Sequence, residues 1–199
     1  MKILVVDDKQ PHRDSATELL GTDHDLTVVR TYGEASKLLQ EDGFDVLLTD
    51  LFMPAESTTL APDAFNLVGH EIPIGLILVL LAAQRDLPYI ALATDTNHHR
   101  HPMSAALDLI CPAYWPQQDQ GLREHQNNGL FWIRNSQVLI AHAPFLKETL
   151  GKVPCEWCPQ NGDPCRYCQG TKERDNVVHD RKDWKVLLAA LLVKPIPIV

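Results

Sequence analysis

Three aspartates and one threonine stand at the same kind of place in this sequence. Asp7 and Asp8 follow the apolar run "KILVV", Asp50 closes "FDVLLTD", and Thr94 lies near the end of "LPYIALATD". Such runs are short, rich in β-branched residues and apolar on both faces, as central strands of a parallel sheet should be. In open α/β sheets, ligands bind beyond the carboxyl ends of the strands at a switch point in strand order. Carboxylates of Asp7, Asp8 and Asp50 converging there would repel one another unless a cation held them. A hard divalent ion such as Mg²⁺, which favours oxygen ligands, is the natural partner. Thr94 would bring a hydroxyl to the same rim. The plainer alternative for Asp7 and Asp8 is a loop start or a helix cap, where Asp is common.

A second chemistry-bearing stretch is "CEWCPQNGDPCRYC". Cys155 and Cys158 form one C-x₂-C pair and Cys165 and Cys168 another, with six residues between the pairs. Asn161, Gly162 and Pro164 let the intervening chain double back. Four thiolates suit a tetrahedral, structural Zn²⁺ site, with an iron–sulfur cluster or redox-active thiols as alternatives. Cys111 is left over and suits a buried small residue. Trp115, Trp132, Trp157 and Trp184 all fall in the second half; packing is their simplest role, with Trp157 also able to offer an exposed aromatic contact.

The elements that must position these residues alternate. After strand one, Pro11 opens a helix that Gly21 stops. "DLTVVRTY" is the second strand, "GEASKLLQEDG" the second helix and "FDVLLTD" the third strand. "HEIPIGLILVLLAAQRD" gives a third helix, whose apolar run at residues 72–83 is too short to span a bilayer and is expected to be buried. "LPYIALATD" is the fourth strand, and "PMSAALDLI" a short fourth helix. The rhythm predicts an α/β fold with a doubly wound, mainly parallel five-stranded sheet.

At these residues the sequence resembles the receiver domain of two-component response regulators. The matching pieces are "ILVVDD", "DVLLTDLFMP" and "IALAT", over about the first half of the chain. The resemblance implies a flavodoxin/CheY-like fold in which Asp50 accepts a phosphoryl group from a histidine kinase or phosphotransfer protein. Asp7, Asp8, Asp50 and the backbone carbonyl of Phe52 would hold Mg²⁺, and Thr94 would respond to the phosphoryl group. Three acids, a metal and a hydroxyl are enough for such a transfer, which needs positioning and charge neutralisation above all.

Departures begin after Thr94. Asp95 follows where receivers usually place a small residue, and its charge is expected to crowd an incoming phosphoryl donor. His98, His99 and His101 follow closely, most simply as a polar loop. The family lysine at the end of strand five has two candidates. "LLVKPIPIV" offers Lys194-Pro195 but leaves no final helix. Alternatively "GLFWIRNSQVLIAHAPF" is a hairpin turning at Asn135-Ser136, with "QVLIAHAP" as strand five, His142 near the lysine's position and "DRKDWKVLLAALLVK" as the closing helix. The second reading is favoured, because a sheet covered on both faces needs that helix. It divides a single receiver-like domain of residues 1–199 into a receiver core at 1–110, a hairpin and Cys₄ zinc-knuckle insertion at 111–179 and a closing helix at 180–194.

Bulk properties narrow the function. A net charge of −8 and a pI near 5.5 argue against a broadly basic nucleic-acid surface, so no direct DNA binding is expected. Neither a secretory signal nor a membrane span is read, which gives the expectation of a cytoplasmic protein. The expected role is a phosphoaccepting receiver with output through an unknown downstream protein and no separate enzyme activity beyond self-phosphorylation and dephosphorylation. The alternatives are a phosphorylation-independent pseudo-receiver binding module and a Mg²⁺-dependent phosphohydrolase with Asp50 as nucleophile.

Overall fold

A computed structural model describes residues 1–41, 43–58, 60–96, 101–107, 129–154, 173–178 and 180–192. The first half builds β1 (Lys2–Val6), α1 (Gln10–Leu20), β2 (Asp25–Val29), α2 (Tyr32–Leu38) and β3 (Val46–Asp50). A small antiparallel arm follows, β4 (Met53–Pro54) paired with β5 (Glu71–Ile72) around a 3₁₀ turn. Then come α3 (Gly75–Gln84), β6 (Tyr89–Thr94) and α4 (Pro102–Leu107). The second half contributes β7 (Leu130–Ile133), β8 (Ser136–His142), β9 (Glu148–Pro154), β10 (Glu173–Val178) and α5 (Trp184–Leu191).

The main sheet runs β2-β1-β3-β6-β8-β7. Its first five strands are parallel, and β7 adds to the edge antiparallel to β8. Counted along the chain, the parallel strands take the order 2-1-3-4-5 of the flavodoxin-like doubly wound fold, whose switch point lies between β1 and β3. Alternation in β1 explains the layers. Ile3 and Val5 face one core with Ala16 and Leu20 of α1 and Trp184, Leu187, Leu188 and Leu191 of α5. Leu4 and Val6 face the other, with Ala35 of α2, Leu78, Val79 and Ala82 of α3 and Leu107 of α4. Both faces of the sheet are therefore covered, as its doubly apolar strands require.

Local chemistry sets several element ends. Thr31 and Glu34 form a capping box at the start of α2, and the Asp183 side chain accepts from the Val186 amide (3.0 Å) to cap α5. Gly75 opens α3 where a Cβ would lie 1.8 Å from the carbonyl oxygen of Asp50, so only glycine lets this helix approach the end of β3.

Three expectations change in detail. The β7–β8 hairpin turns at Arg134-Asn135, because Ser136 already pairs with Ile133; Arg134 takes the left-handed backbone such a two-residue turn needs (φ 55°). The apolar run at 72–83 is helical only from Gly75, since Ile72 belongs to β5. It is not wholly buried either: Ile77 and Leu80 are 47% and 49% exposed on the outer face of α3. Among the described residues no helix is long and apolar enough to cross a membrane.

Candidate functional site

β1 and β3 are neighbours in register, with Val6 opposite Thr49, so the residues after β1 meet the last residue of β3. Asp7 is fully buried and Asp50 is 1% exposed, while Asp8 is half-buried on the solvent side. One carboxylate oxygen from each of the three lies within 4.8 Å of the others. The sequence-predicted acids are thus brought together. Asp7 Oδ1 accepts from the Lys9 amide (2.9 Å). Among the described residues, Asp8 Oδ1 and Asp50 Oδ2 are buried without a partner, and Asp50 Oδ1 faces only an ammonium, 2.8 Å away.

Orphaned anionic oxygens in a buried cluster are costly unless a cation compensates them. The donor set is all carboxylate, which fits a hard divalent ion such as Mg²⁺. Burial pushes the Asp8 carboxyl above its ordinary range, and Asp7 adds to this. Burial likewise pushes Asp50 up, to about 7, and Asp7 and Asp95 add to the rise while the Lys182 ammonium opposes it.

Lys182 is the residue sequence reasoning missed. Its ammonium donates to Asp7 Oδ2 (2.7 Å) and lies 2.8 Å from Asp50 Oδ1 as an ion pair. The side chain is only 1% exposed. Burial alone would lower its pKa, yet Asp50, Asp7 and Asp95 hold it above the ordinary lysine range, so it remains charged. Neither of the two candidates for this position is the residue seen here. His142 pairs with Thr94 at the end of β8, and Lys194 lies outside the described residues. A signal was present. The helix after strand five must start near the carboxyl edge of the sheet, and Lys182 immediately precedes Asp183, the cap of α5.

Thr94 is 3% exposed at the end of β6; its Oγ1 accepts from the Thr96 amide (3.1 Å). Phe52 stands two residues beyond Asp50, with its ring buried against His101 at 4.3 Å between centroids. His101 Nδ1 accepts from the Met103 amide (3.1 Å) at the start of α4.

Asp95, read from sequence as an extra negative charge at the rim, is paired in the fold. Its Oδ2 accepts from Lys9 Nζ and lies 3.3 Å from His12 Nε2. Burial would raise its pKa, but the His12 hydrogen bond, Lys182 and Lys9 together hold it well below the usual carboxylate range. His98, His99, Cys111, Trp115, Trp157 and the four paired cysteines lie outside the described residues.

No known protein-family model matches the chain, and no curated protein does. Among solved structures the chain is similar to the response regulator protein TrrA from Thermotoga maritima, determined in complex with Mg²⁺-BeF. That similarity is 24% sequence identity over 53% of this chain and 80% of that chain, at a TM-score of 0.37.

Proposed function

We infer that this protein is a receiver-like phosphoacceptor, with Asp50 as the nucleophile. The observation that carries the reading is the Asp50 carboxylate itself. It sits at the end of β3 beside two further acids, one oxygen ion-paired to the buried Lys182 ammonium and the other without a partner among the described residues. An Asp50 oxygen would attack the phosphorus of a phosphohistidine, forming an acyl phosphate. The phosphorus–nitrogen bond breaks, and the leaving imidazole keeps the electron pair and takes up a proton from solvent.

Asp7, Asp8, Asp50 and the Phe52 carbonyl would hold Mg²⁺, which when bound neutralises charge on the transferring group. Lys182 supplies a fixed positive charge from the protein side, where charge would build up on the phosphoryl oxygens. Thr94, whose Oγ1 accepts from the Thr96 amide, would offer its hydroxyl proton to the phosphoryl group. The partners on this reading are a histidine kinase or phosphotransfer protein upstream and a protein contact downstream.

The test is intact mass after incubation with acetyl phosphate and Mg²⁺. Wild type should gain one phosphoryl group and Asp50→Asn none. A gain that survives in Asp50→Asn would overturn the assignment. One observation favours a second reading, a phosphorylation-independent binding module: Asp50 is 1% exposed and already neutralised by Lys182. No mass gain in wild type, with Mg²⁺ binding intact, would select it.

For the cysteine stretch we propose a structural Zn²⁺ site. Cys155, Cys158, Cys165 and Cys168 all fall between β9 and β10, whose ladder pairs Pro154 with Glu173. The ends of the cysteine-bearing segment are therefore held side by side, which favours ligation of a single ion by both pairs.

A further inference from the structure

In an uninterrupted fold, a lysine at the end of strand five is aimed by the strand that carries it. Here the chain leaves β8, runs out through β9 and β10, and returns only at Arg181. The chain just past β8 still meets it, since Phe145 bridges Lys182 and the Leu146 amide donates to the Arg181 carbonyl (2.9 Å), and α1 adds a second hold from the other side. The Lys182 amide donates to His12 Nδ1 (3.3 Å), and Ser15 Oγ shares its one proton between the carbonyls of Lys182 (2.9 Å) and His12 (2.8 Å). Trp184 Nε1 donates to the His12 carbonyl (2.8 Å). His12 and Ser15 are 3% and 0% exposed. Because His12 Nδ1 accepts, the hydrogen-bond network puts the ring proton on Nε2, facing Asp95 Oδ2. Asp95 is held in turn by Lys9. On the strand side, the Asp183 amide donates to the Pro144 carbonyl (2.7 Å), which ties the returning chain beside the end of β8.

We propose that His12, oriented by Asp95, and Ser15 are positioning residues that hold the Lys182 backbone so that its ammonium falls between Asp7 and Asp50. They add to the backbone contacts that Pro144, Phe145 and Leu146 keep with the returning chain once the intervening segment has separated it from β8. The proposal rests on the phosphoacceptor reading for its consequence in rate, but not for its geometry. Asp95 thereby becomes a support of the site, where the sequence alone suggested an obstacle to it.

Two substitutions at one position separate the two bonds of the imidazole. His12→Asn keeps an acceptor close to the place of Nδ1 and loses the reach to Asp95. His12→Gln keeps a donor near Asp95 and offers nothing to the Lys182 amide. Ser15→Ala removes the second grip with little change in volume. The direct readout is the ¹⁵N–¹H signal of the Lys182 ammonium, visible when a buried, ion-paired ammonium exchanges slowly, and assigned by its loss in Lys182→Met.

His12→Gln and Ser15→Ala should broaden or abolish that signal and slow phosphoryl uptake from acetyl phosphate by about tenfold, the factor one lost buried hydrogen bond carries. His12→Asn should keep the signal and most of the rate. Unchanged signal and uptake in both His12→Gln and Ser15→Ala would overturn the proposal, as would equal damage from His12→Asn and His12→Gln. If His12→Gln does not fold, Ser15→Ala decides alone. If wild type takes up no phosphoryl group, the phosphoacceptor reading fails while the ammonium signal still decides the positioning.

Discussion

Replacing Lys182 with methionine keeps the aliphatic stem and removes the charge. The side chain is 1% exposed and its ammonium faces Asp7 at 2.7 Å and Asp50 at 2.8 Å. Removing one partner of a buried pair leaves an uncompensated charge and costs about 3–5 kcal/mol. For a chain of this size that is a fall in melting temperature of about 10 °C. The loss should depend on pH. Burial holds Asp50 up at about 7 against 3.8 for an ordinary aspartate. Between those values the folded state binds a proton that the unfolded chain has released, so the contribution of Asp50 to stability falls as pH rises through that window.

Lys182 opposes this rise, and its removal pushes Asp50 higher still, extending the unfavourable window above 7. The penalty of Lys182→Met should therefore be larger at about pH 7.5 than near pH 5, where a proton takes the place of the ammonium. Saturating Mg²⁺ should restore more stability to the variant than it adds to wild type, because the ion no longer competes with a fixed charge. Urea unfolding at both pH values, with and without Mg²⁺, measures all three effects. A penalty below about 1 kcal/mol at the higher pH, or one indifferent to both pH and Mg²⁺, would refute the view that Lys182 compensates these acids.

Asp8→Asn should weaken Mg²⁺ binding by about tenfold or more, since an anionic ligand becomes a neutral one; an unchanged titration would move the ion elsewhere. Gly75→Ala should destabilise by about 1–3 kcal/mol or more, because its Cβ would meet the Asp50 carbonyl oxygen, and unaltered melting would contradict the close contact of α3 with β3. Protein purified without added metal should carry about one zinc per chain. Cys155→Ser should lose that zinc while Mg²⁺ binding survives, and metal-free protein with unchanged melting would end the zinc proposal.

The sequence marked best what local pattern encodes. The runs ending at Asp7, Asp50 and Thr94 are short, apolar and β-branched, so strand type, strand end and the meeting of the acids followed from periodicity and one rule about sheet edges. The hairpin before α5 was legible for the same reason. The β4–β5 arm was not, because its strands have two residues each and no period. The exposure of Ile77 and Leu80 was hidden by a helix apolar all round, which carries no stripe to orient it. Lys182 and the pairing of Asp95 depend on contacts between residues far apart in the chain. No local pattern links His12 to Asp95, or Arg181 and Lys182 to the end of β8, and only the folded topology brings them together.

The ion pair between Lys182 and Asp7 joins residues 175 positions apart. A ribosome therefore finishes β1, β3 and β6 long before it makes the ammonium that their carboxylates face. Contacts of such separation also form late in folding from the full chain, because the loop must close before they reward it. Until then a partly built sheet carries converging acids with no internal counter-ion. A divalent cation or a proton is what can occupy that place during synthesis, so a cation able to bind the finished pocket would also ease its construction, and truncated or slowly completed chains should depend on it most.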